Sequence, residues 1–234
     1  MVNGRQKAPV YQPYAVNVQA PERPKLLCLH GGGSSANIFQ IQLIRLQRFL
    51  EPHFEFVYMD GPMETEPGPG VLPVFEGCGP YWRWVSDDPA TPPEEFQRQK
   101  DAAVELIKVY MQQTGPYVGL VGFSQGARAA ASLLLEQQRQ PFVDNSLFGV
   151  FLCGTYPPFV PHDEKIVLPT VHVVGLFDPW KPASEELLEQ CSEKSTRRVV
   201  RFPGGHHLPN PPDAIQQIVG HVLDLYKETV GMKA

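Results

Sequence analysis

One segment in the middle of the chain restricts the fold more than any other. Over residues 117–135, an apolar run passes directly into a helix-forming run rich in Ala and Leu. The junction reads G-x-S-x-G, with Ser124 between Gly122 and Gly126. A sharp strand-to-helix turn brings backbone segments close together, and glycine at these two positions removes side chains that would collide. The sequence therefore predicts a buried strand that ends at an outward-facing serine hydroxyl.

Around this junction, short apolar runs alternate with longer amphipathic ones. This pattern predicts an α/β fold with a mostly parallel central sheet and helices on both faces. We predict strands over residues 25–30, 54–59, 117–123, 147–153, 169–174 and 198–202, and helices over residues 38–50, 93–113, 126–137, 183–191 and 214–226. We expect a single domain, 1–234, with an N-terminal extension at 1–24.

Catalysis by Ser124 would require further residues, because a serine hydroxyl is a weak nucleophile at neutral pH. Asp178 follows one predicted strand, and His206 and His207 follow the next on a Gly-rich loop. Ser, Asp and His in this chain order are typical of the α/β-hydrolase fold. We therefore predict Ser124 as nucleophile, Asp178 as the acid and one of the two histidines as base. The alternative for Asp178 is a turn aspartate before Pro179.

An acyl-transfer site also needs backbone N–H groups that stabilise the oxyanion. The first predicted strand ends in three consecutive glycines, 31–33, which resemble the HGGG-type oxyanion loop. We predict that the donors are the N–H of Gln125, directly after the serine, and an N–H of Gly32 or Gly33. His30 is interpreted as a structural residue that braces this loop, and a second base is the alternative.

A segment rich in Pro and Gly, residues 61–81, is too long for an ordinary connection. We predict that it forms a lid or a pocket wall, with a disordered insertion as the alternative. Aromatic residues in and beside this segment would form apolar pocket walls for an acyl group: Phe75, Tyr81, Trp82, Trp84 and Trp180. Burial in the core would explain Trp82 and Trp84 equally well.

Charge and hydropathy argue against several other classes of function. A net charge of -5 offers no general attraction to nucleic acid or anionic lipid. No apolar run is long enough for a membrane span or a signal-peptide core, so we expect a cytoplasmic protein without a membrane partner. The four cysteines form no paired motif. The remaining histidines, which have no metal-ligand spacing, are His53, His162, His172 and His221. We therefore expect neither metal nor cofactor.

Six segments together resemble the fungal family of small serine hydrolases: LCLHGGGSSANIF, FEFVYMDGP, GPGVLPVFEGCGPYWRWV, GFSQGARAA, GLFDPW and PGGHHLP. The combination of FEFVY, GPGVLPVF and GPYWRW is similar to a branch of stand-alone hydrolases associated with fungal polyketide synthases. In that family the histidine directly after Gly-Gly is the base, which implies His206 here. The family usually has an apolar or aromatic residue at the position of His207, so the chain departs from the pattern there.

The resemblance implies a thioesterase that acts in trans on an acyl thioester of the acyl carrier protein of a polyketide synthase. GFSQG also occurs in carboxylesterases and acyl-protein thioesterases, which are the first alternative. A non-catalytic protein that binds a small ligand in this fold is the second. Docking of an acidic carrier protein would need a local basic face. The candidate residues for such a face are Lys194, Arg197, Arg198 and Arg201. A solvated strand edge is the alternative interpretation of these residues.

Overall fold

The computed structural model describes residues 23–144, 146–155, 163–193 and 195–231. Its strands are β1 Lys25–Leu29, β2 Glu55–Met59, β3 Met63–Thr65, β4 Tyr81–Arg83, β5 Tyr117–Phe123, β6 Phe148–Leu152, β7 Thr170–Gly175 and β8 Arg197–Phe202. Six of them form a parallel sheet in the order β2-β1-β5-β6-β7-β8. Each of the six predicted strands lies within one residue of an observed strand at both ends, so the predicted parallel sheet is confirmed. Residues 1–22 of the predicted N-terminal extension lie outside the described residues.

Helices pack on both faces of this sheet, as the sequence predicts: α1 Ala36–Leu50, α2 Pro93–Thr114, α3 Gln125–Arg139, α4 Lys181–Glu189 and α5 Pro212–Gly231. Two separate apolar clusters result, one beneath α1 and α5 and the other beneath α2, α3 and α4. Adjacent residues of β5 serve both clusters, since Leu120 faces one and Val121 the other. Burial of both faces explains why this strand is apolar almost throughout.

A small antiparallel hairpin of β3 and β4 forms a second sheet and was not predicted. It joins the loop after β1, where the N–H of Trp82 donates to the carbonyl of Ser34 at 2.6 Å and the N–H of Gly33 donates to the carbonyl of Trp82 at 2.9 Å. Residues 61–81, predicted as a lid or a pocket wall, contain β3 and the first residue of β4. Strands of three residues have too few alternating positions to be detected in a sequence.

A buried histidine in the central sheet makes the stability of the fold dependent on pH. The ring of His172, on β7, lies 3.0 Å from Thr170 Oγ1 and contacts Phe151 edge-on. Burial, together with the charge of Arg197, lowers the pKa of His172 to about 3. Because the pKa is about 6.5 in an unfolded chain, the unfolded state binds a proton below that pH that the folded state does not. Stability is therefore lost as the pH falls from about 6.5 toward 3.

Replacing His172 by glutamine is expected to reduce this acid sensitivity. The substitution removes the proton that the unfolded state binds at this residue. It therefore lowers the slope of the unfolding free energy against pH by up to about 1.4 kcal/mol per pH unit between about pH 4 and 6. Urea denaturation at a series of pH values measures the slope. The exposed residue His53 provides a matched control, and His53→Gln should leave the slope at its wild-type value. An unchanged slope in His172→Gln would contradict the prediction that His172 makes the fold sensitive to acid.

Candidate active site

The turn between β5 and α3 has the strained geometry that its glycines predict. Ser124 has φ 55 and ψ -118, a conformation that residues other than glycine rarely adopt. A Cβ on Gly122 would lie 2.3 Å from the carbonyl oxygen of Gly126. A Cβ on Gly126 would lie 2.1 Å from the carbonyl oxygen of Leu29. Neither position accepts a side chain, so the two glycines permit the close approach of α3 to β1 that holds Ser124 at the turn.

Three predicted residues meet at the carboxyl edge of the sheet, where parallel strands gather functional groups. Ser124 follows β5, Asp178 follows β7 and His206 follows β8. His206 Nε2 lies 2.9 Å from Ser124 Oγ, and His206 Nδ1 lies 2.9 Å from Asp178 Oδ2. The second carboxylate oxygen of Asp178 accepts the N–H of Trp180 at 2.8 Å. Asp178 therefore occupies a turn, as the alternative interpretation held, and also contacts the histidine.

The surroundings of His206 restrict its ring to one orientation. The ring lies between Phe123 and Trp180, with centroid distances of 5.1 Å and 4.5 Å. Asp178 is fully buried behind it, while the His206 side chain retains 12% exposure. In the tautomer that these contacts favour, Nδ1–H donates to the carboxylate and Nε2 accepts the serine hydroxyl proton. Such an arrangement can transfer a proton from Ser124 during nucleophilic attack.

The neighbouring histidine has different contacts. His207 Nδ1 lies 2.8 Å from the carbonyl oxygen of Leu208, and its Nε2 accepts the N–H of Gly205 at 3.2 Å. Both ring nitrogens are thus engaged by the backbone of their own loop. The structure brings His206, and not His207, within hydrogen-bond distance of Ser124.

The two glycines proposed as oxyanion donors differ in their backbone contacts. Gly33 cannot serve as predicted, because its N–H already donates to the carbonyl of Trp82 at 2.9 Å. A Cβ on Gly33 would also lie 2.1 Å from the backbone nitrogen of Gly68, so this residue is packed against the 61–81 segment. Within the described part of the chain, the N–H groups of Gly32 and Gln125 form no hydrogen bond. Both residues line the same cavity as Ser124, so Gly32 is the better of the two glycine candidates.

The side chain of Gln125 has a role that the sequence does not predict. Its Oε1 accepts the N–H of Trp84 at 2.6 Å and that of Val85 at 3.3 Å. Its Nε2 donates to the carbonyl of Val85 at 3.0 Å and to Asp87 Oδ1 at 2.8 Å. Asp87 in turn pairs with the buried Arg128 at 3.3 Å. The residue after the serine therefore fixes the segment that follows β4, and only its position beside Ser124 could have suggested a role.

His30 has the contacts of a structural residue. Its Nδ1 lies 2.7 Å from the carbonyl oxygen of Gly31, and its Nε2 accepts the N–H of Gly61 at 2.9 Å. Its own carbonyl accepts the indole N–H of Trp84 at 2.8 Å. Burial lowers the pKa of His30 to about 4, so the ring is neutral at physiological pH. These contacts brace the loop after β1, and both ring nitrogens are occupied.

A cavity of about 1310 Å³ lies in front of Ser124 and His206. Much of one wall comes from the 61–81 segment, through residues 66–71 with Val74 and Phe75. This placement fits a pocket wall. Residues 86–88 add polar side chains to the lining of the cavity.

The predicted aromatic walls are only partly present. Phe75 and Trp180 line the cavity, but Tyr81, Trp82 and Trp84 do not. The Tyr81 hydroxyl donates to the carbonyl of Phe75 at 2.7 Å, and the backbone of Trp82 pairs with the loop after β1. Trp84 is fully buried in the core. For Trp84, the alternative of a core residue is the correct one.

The predicted basic face along β8 is neutralised by carboxylates. Arg197, Arg198 and Arg201 form ion pairs with partners at 3.3 Å, 2.6 Å and 2.8 Å: Glu193, Glu228 and Glu185, respectively. Lys194 lies outside the described residues. The paired arginines give no excess of positive charge, so the solvated strand edge is the better interpretation of this surface.

Other chemistry receives little support from the described residues. Among them, no group of three or more His, Cys, Asp or Glu side chains could hold a metal ion, and no helix is long and apolar enough to cross a membrane. Cys28, Cys153 and Cys191 are buried and Cys78 is exposed, all as free thiols. Burial, reinforced by the charge of Asp178, raises the pKa of Cys153 to about 12, so this thiol beside the site stays protonated and is a poor nucleophile.

Comparison of the sequence with protein families gives a match over residues 19–218 to the family described as Serine hydrolase (FSH1). Esterase FUS5 of Gibberella fujikuroi is 52% identical over 205 residues, which cover 88% of both chains. Thioesterase FSL2 of Gibberella zeae is 33% identical over 232 residues, which cover 87% of this chain and 92% of the relative.

Solved structures share the fold at lower sequence identity. A carboxylesterase from Bacillus cereus has a TM-score of 0.60 at 18% identity, covering 88% of this chain and 89% of that one. A carboxylesterase from Mesorhizobium loti has a TM-score of 0.58 at 19% identity, with 86% and 89% covered. These likenesses establish the α/β-hydrolase fold.

Proposed function

Because the chain belongs to the serine hydrolase (FSH1) family, we propose that it is a thioesterase acting in trans on the acyl carrier protein of a fungal polyketide synthase. That it is a hydrolase follows from the family and from the esterase and thioesterase relatives. The observation that carries the proposed chemistry is the hydrogen-bonded series from Ser124 through His206 to Asp178, with 2.9 Å at each step.

In the proposed acylation step, Ser124 Oγ attacks the thioester carbonyl carbon while Nε2 of neutral His206 takes the hydroxyl proton. Asp178 fixes the tautomer of the ring and stabilises the imidazolium that forms. The N–H groups of Gly32 and Gln125 stabilise the negative charge on the carbonyl oxygen, and loss of one such donor typically costs about 3 to 4 kcal/mol. The C–S bond then breaks, and the thiolate of the carrier leaves with the proton of His206.

Hydrolysis of the acyl-Ser124 ester completes the reaction. His206 removes a proton from a water molecule, and the resulting hydroxide attacks the ester carbonyl. The same two N–H groups stabilise the second oxyanion. Collapse of the intermediate releases a free carboxylic acid and returns the proton to Ser124 Oγ, so the enzyme is regenerated without a metal or cofactor in any step.

The carrier-bound substrate is supported by three observations. The segments FEFVY, GPGVLPVF and GPYWRW resemble the polyketide-associated branch of the family, and one relative is named a thioesterase. The cavity of about 1310 Å³ is large enough for an extended acyl chain, and it exceeds the range of about 300 to 1,000 Å³ that is usual for small-molecule pockets. We place the reaction in the cytoplasm, where such a carrier protein would be available.

Mass spectrometry of a polyketide-type acyl carrier protein, loaded with an acyl chain, tests this function directly. We expect the acyl mass to be lost on incubation with the wild-type protein and retained on incubation with Ser124→Ala. Survival of the acyl carrier with the wild-type protein, under conditions in which an aryl ester is cleaved, would contradict the thioesterase proposal. That result would instead favour a general carboxylesterase, the candidate to which the names of the FUS5 relatives point.

A further inference from the structure

Strand β4 places an arginine in the wall of the cavity. Arg83 lines the same cavity as Ser124 and His206, and it is only partly exposed. Its Nε is buried and has no hydrogen-bond partner within the described residues. Among those residues, no carboxylate forms an ion pair with Arg83. A partly buried guanidinium without a counter-charge is a rare arrangement, because burial of a charge is unfavourable unless it is paired.

The other charged groups of the cavity already have partners or lie in solvent. Asp87 is paired with Arg128 and accepts a hydrogen bond from Gln125. Asp88 accepts the backbone N–H of Ala90 at 2.8 Å and is exposed, as is Glu66. These carboxylates are exposed to solvent, whereas the Arg83 side chain lines the cavity and forms no hydrogen bond or ion pair with another described residue.

We propose that Arg83 is a specificity-determining residue that binds an anionic oxygen group of the substrate, a carboxylate or a phosphate. This inference deepens the proposed function and rests on it for the identity of the substrate. The planar guanidinium is suited to either group, since it offers parallel N–H donors that match two oxygens at once. The group has two possible sources: a carboxylate at the far end of the acyl chain, or the phosphate of the phosphopantetheine arm.

Matched substrates distinguish the two sources. The first pair consists of N-acetylcysteamine thioesters of an acyl chain that ends in a carboxylate or in its methyl ester. The second pair joins a neutral acyl chain to 4′-phosphopantetheine or to pantetheine. Comparison of kcat/KM within each pair gives the preference of the wild-type protein for the charged member. Loss of that preference in Arg83→Gln, in one pair only, identifies the source.

We expect Arg83→Gln to lower kcat/KM for the charged member of one pair by about 10- to 100-fold, mainly through KM, and to leave the neutral members unchanged. Arg83→Lys should restore part of the preference, because it retains the charge but loses the bidentate geometry. Arg45 provides a control, since it is exposed on α1 and outside the cavity lining. Arg45→Gln removes the same charge and should preserve the preference.

Failure of this inference is separable from failure of the thioesterase proposal. If Arg83→Gln retains the wild-type preference in both pairs, Arg83 does not bind the anionic group, even though thioesters are hydrolysed. If the wild-type protein cleaves no thioester, the thioesterase proposal fails. In that case, the acyl chains that end in a carboxylate or in its methyl ester are prepared as aryl esters. The ratio of their kcat/KM values in the wild-type protein and in Arg83→Gln then tests the role of Arg83 on its own.

Discussion

Replacement of Ser124 by alanine is expected to lower kcat by about 10⁶-fold without unfolding the protein. The hydroxyl is the only group at the turn that can form the acyl-enzyme, and His206 has no other proton to take from that position. Removal of Oγ should not disturb the turn, because Ser124 is held there by its backbone N–H, which donates to the carbonyl of Leu152 at 2.9 Å. Initial rates of aryl ester hydrolysis and thermal unfolding curves measure the two effects.

A matched serine on the following helix provides the control. Ser132 is buried in α3 and lies outside the cavity lining, so Ser132→Ala should retain wild-type kcat. Intact-mass analysis after exposure to a fluorophosphonate should give one covalent adduct with the wild-type protein and with Ser132→Ala, and none with Ser124→Ala. An adduct on Ser124→Ala, or kcat above about 1% of the wild-type value, would show that another group is the nucleophile.

The parts of the site that the sequence predicted are those set by local geometry and chain order. A Cβ on Gly122 or Gly126 would lie less than 2.5 Å from a backbone oxygen, so the turn requires glycine at both positions and leaves a strict residue pattern. Asp178 and His206 follow consecutive strands of a parallel sheet, and such strands end at one edge. Their approach to Ser124 therefore follows from the parallel order of the strands, and the short apolar runs of the sequence predict those strands well.

The parts that could not be predicted depend on pairing between distant segments. The hairpin of β3 and β4 engages the N–H of Gly33, and nothing near Gly33 in the sequence indicates that its donor is used. The same hairpin places Arg83 in the cavity wall, while Trp84, directly after β4, is buried in the core. Whether an aromatic side chain near this segment faces the cavity or the core therefore cannot be predicted until the register of the hairpin is known.

Charge patterns on the surface were equally ambiguous. Arg198 and Arg201 are close to each other in the sequence, but their carboxylate partners, Glu228 and Glu185, come from α5 and α4. A basic run in a sequence therefore does not predict a basic face when packed helices supply the counter-charges. Among the described residues that line the cavity, the cation proposed to meet a substrate is instead Arg83, which stands between two tryptophans in the sequence.

Two adjacent histidines allow the identity of the base to be tested with equal changes. His206→Ala is expected to lower kcat by about as much as loss of Ser124, on the order of 10⁶-fold, because nucleophile and base act as one unit. His207→Ala is expected to change kcat by less than about 10-fold, since its ring nitrogens contact Gly205 and Leu208, its ring packs against Phe202, and neither nitrogen reaches Ser124. Initial rates with one aryl ester compare the two variants, and circular dichroism checks that both remain folded.

The fluorophosphonate label separates loss of the base from displacement of the loop. His206→Ala should react with the label far more slowly than the wild-type protein, because Ser124 loses the group that accepts its proton at 2.9 Å. Added imidazole should restore part of that rate in His206→Ala, since the space left by the ring lies between Phe123 and Trp180 and can accept a free imidazole. If His207→Ala instead shows the large loss and the rescue, the loop must rearrange on substrate binding so that His207 becomes the base.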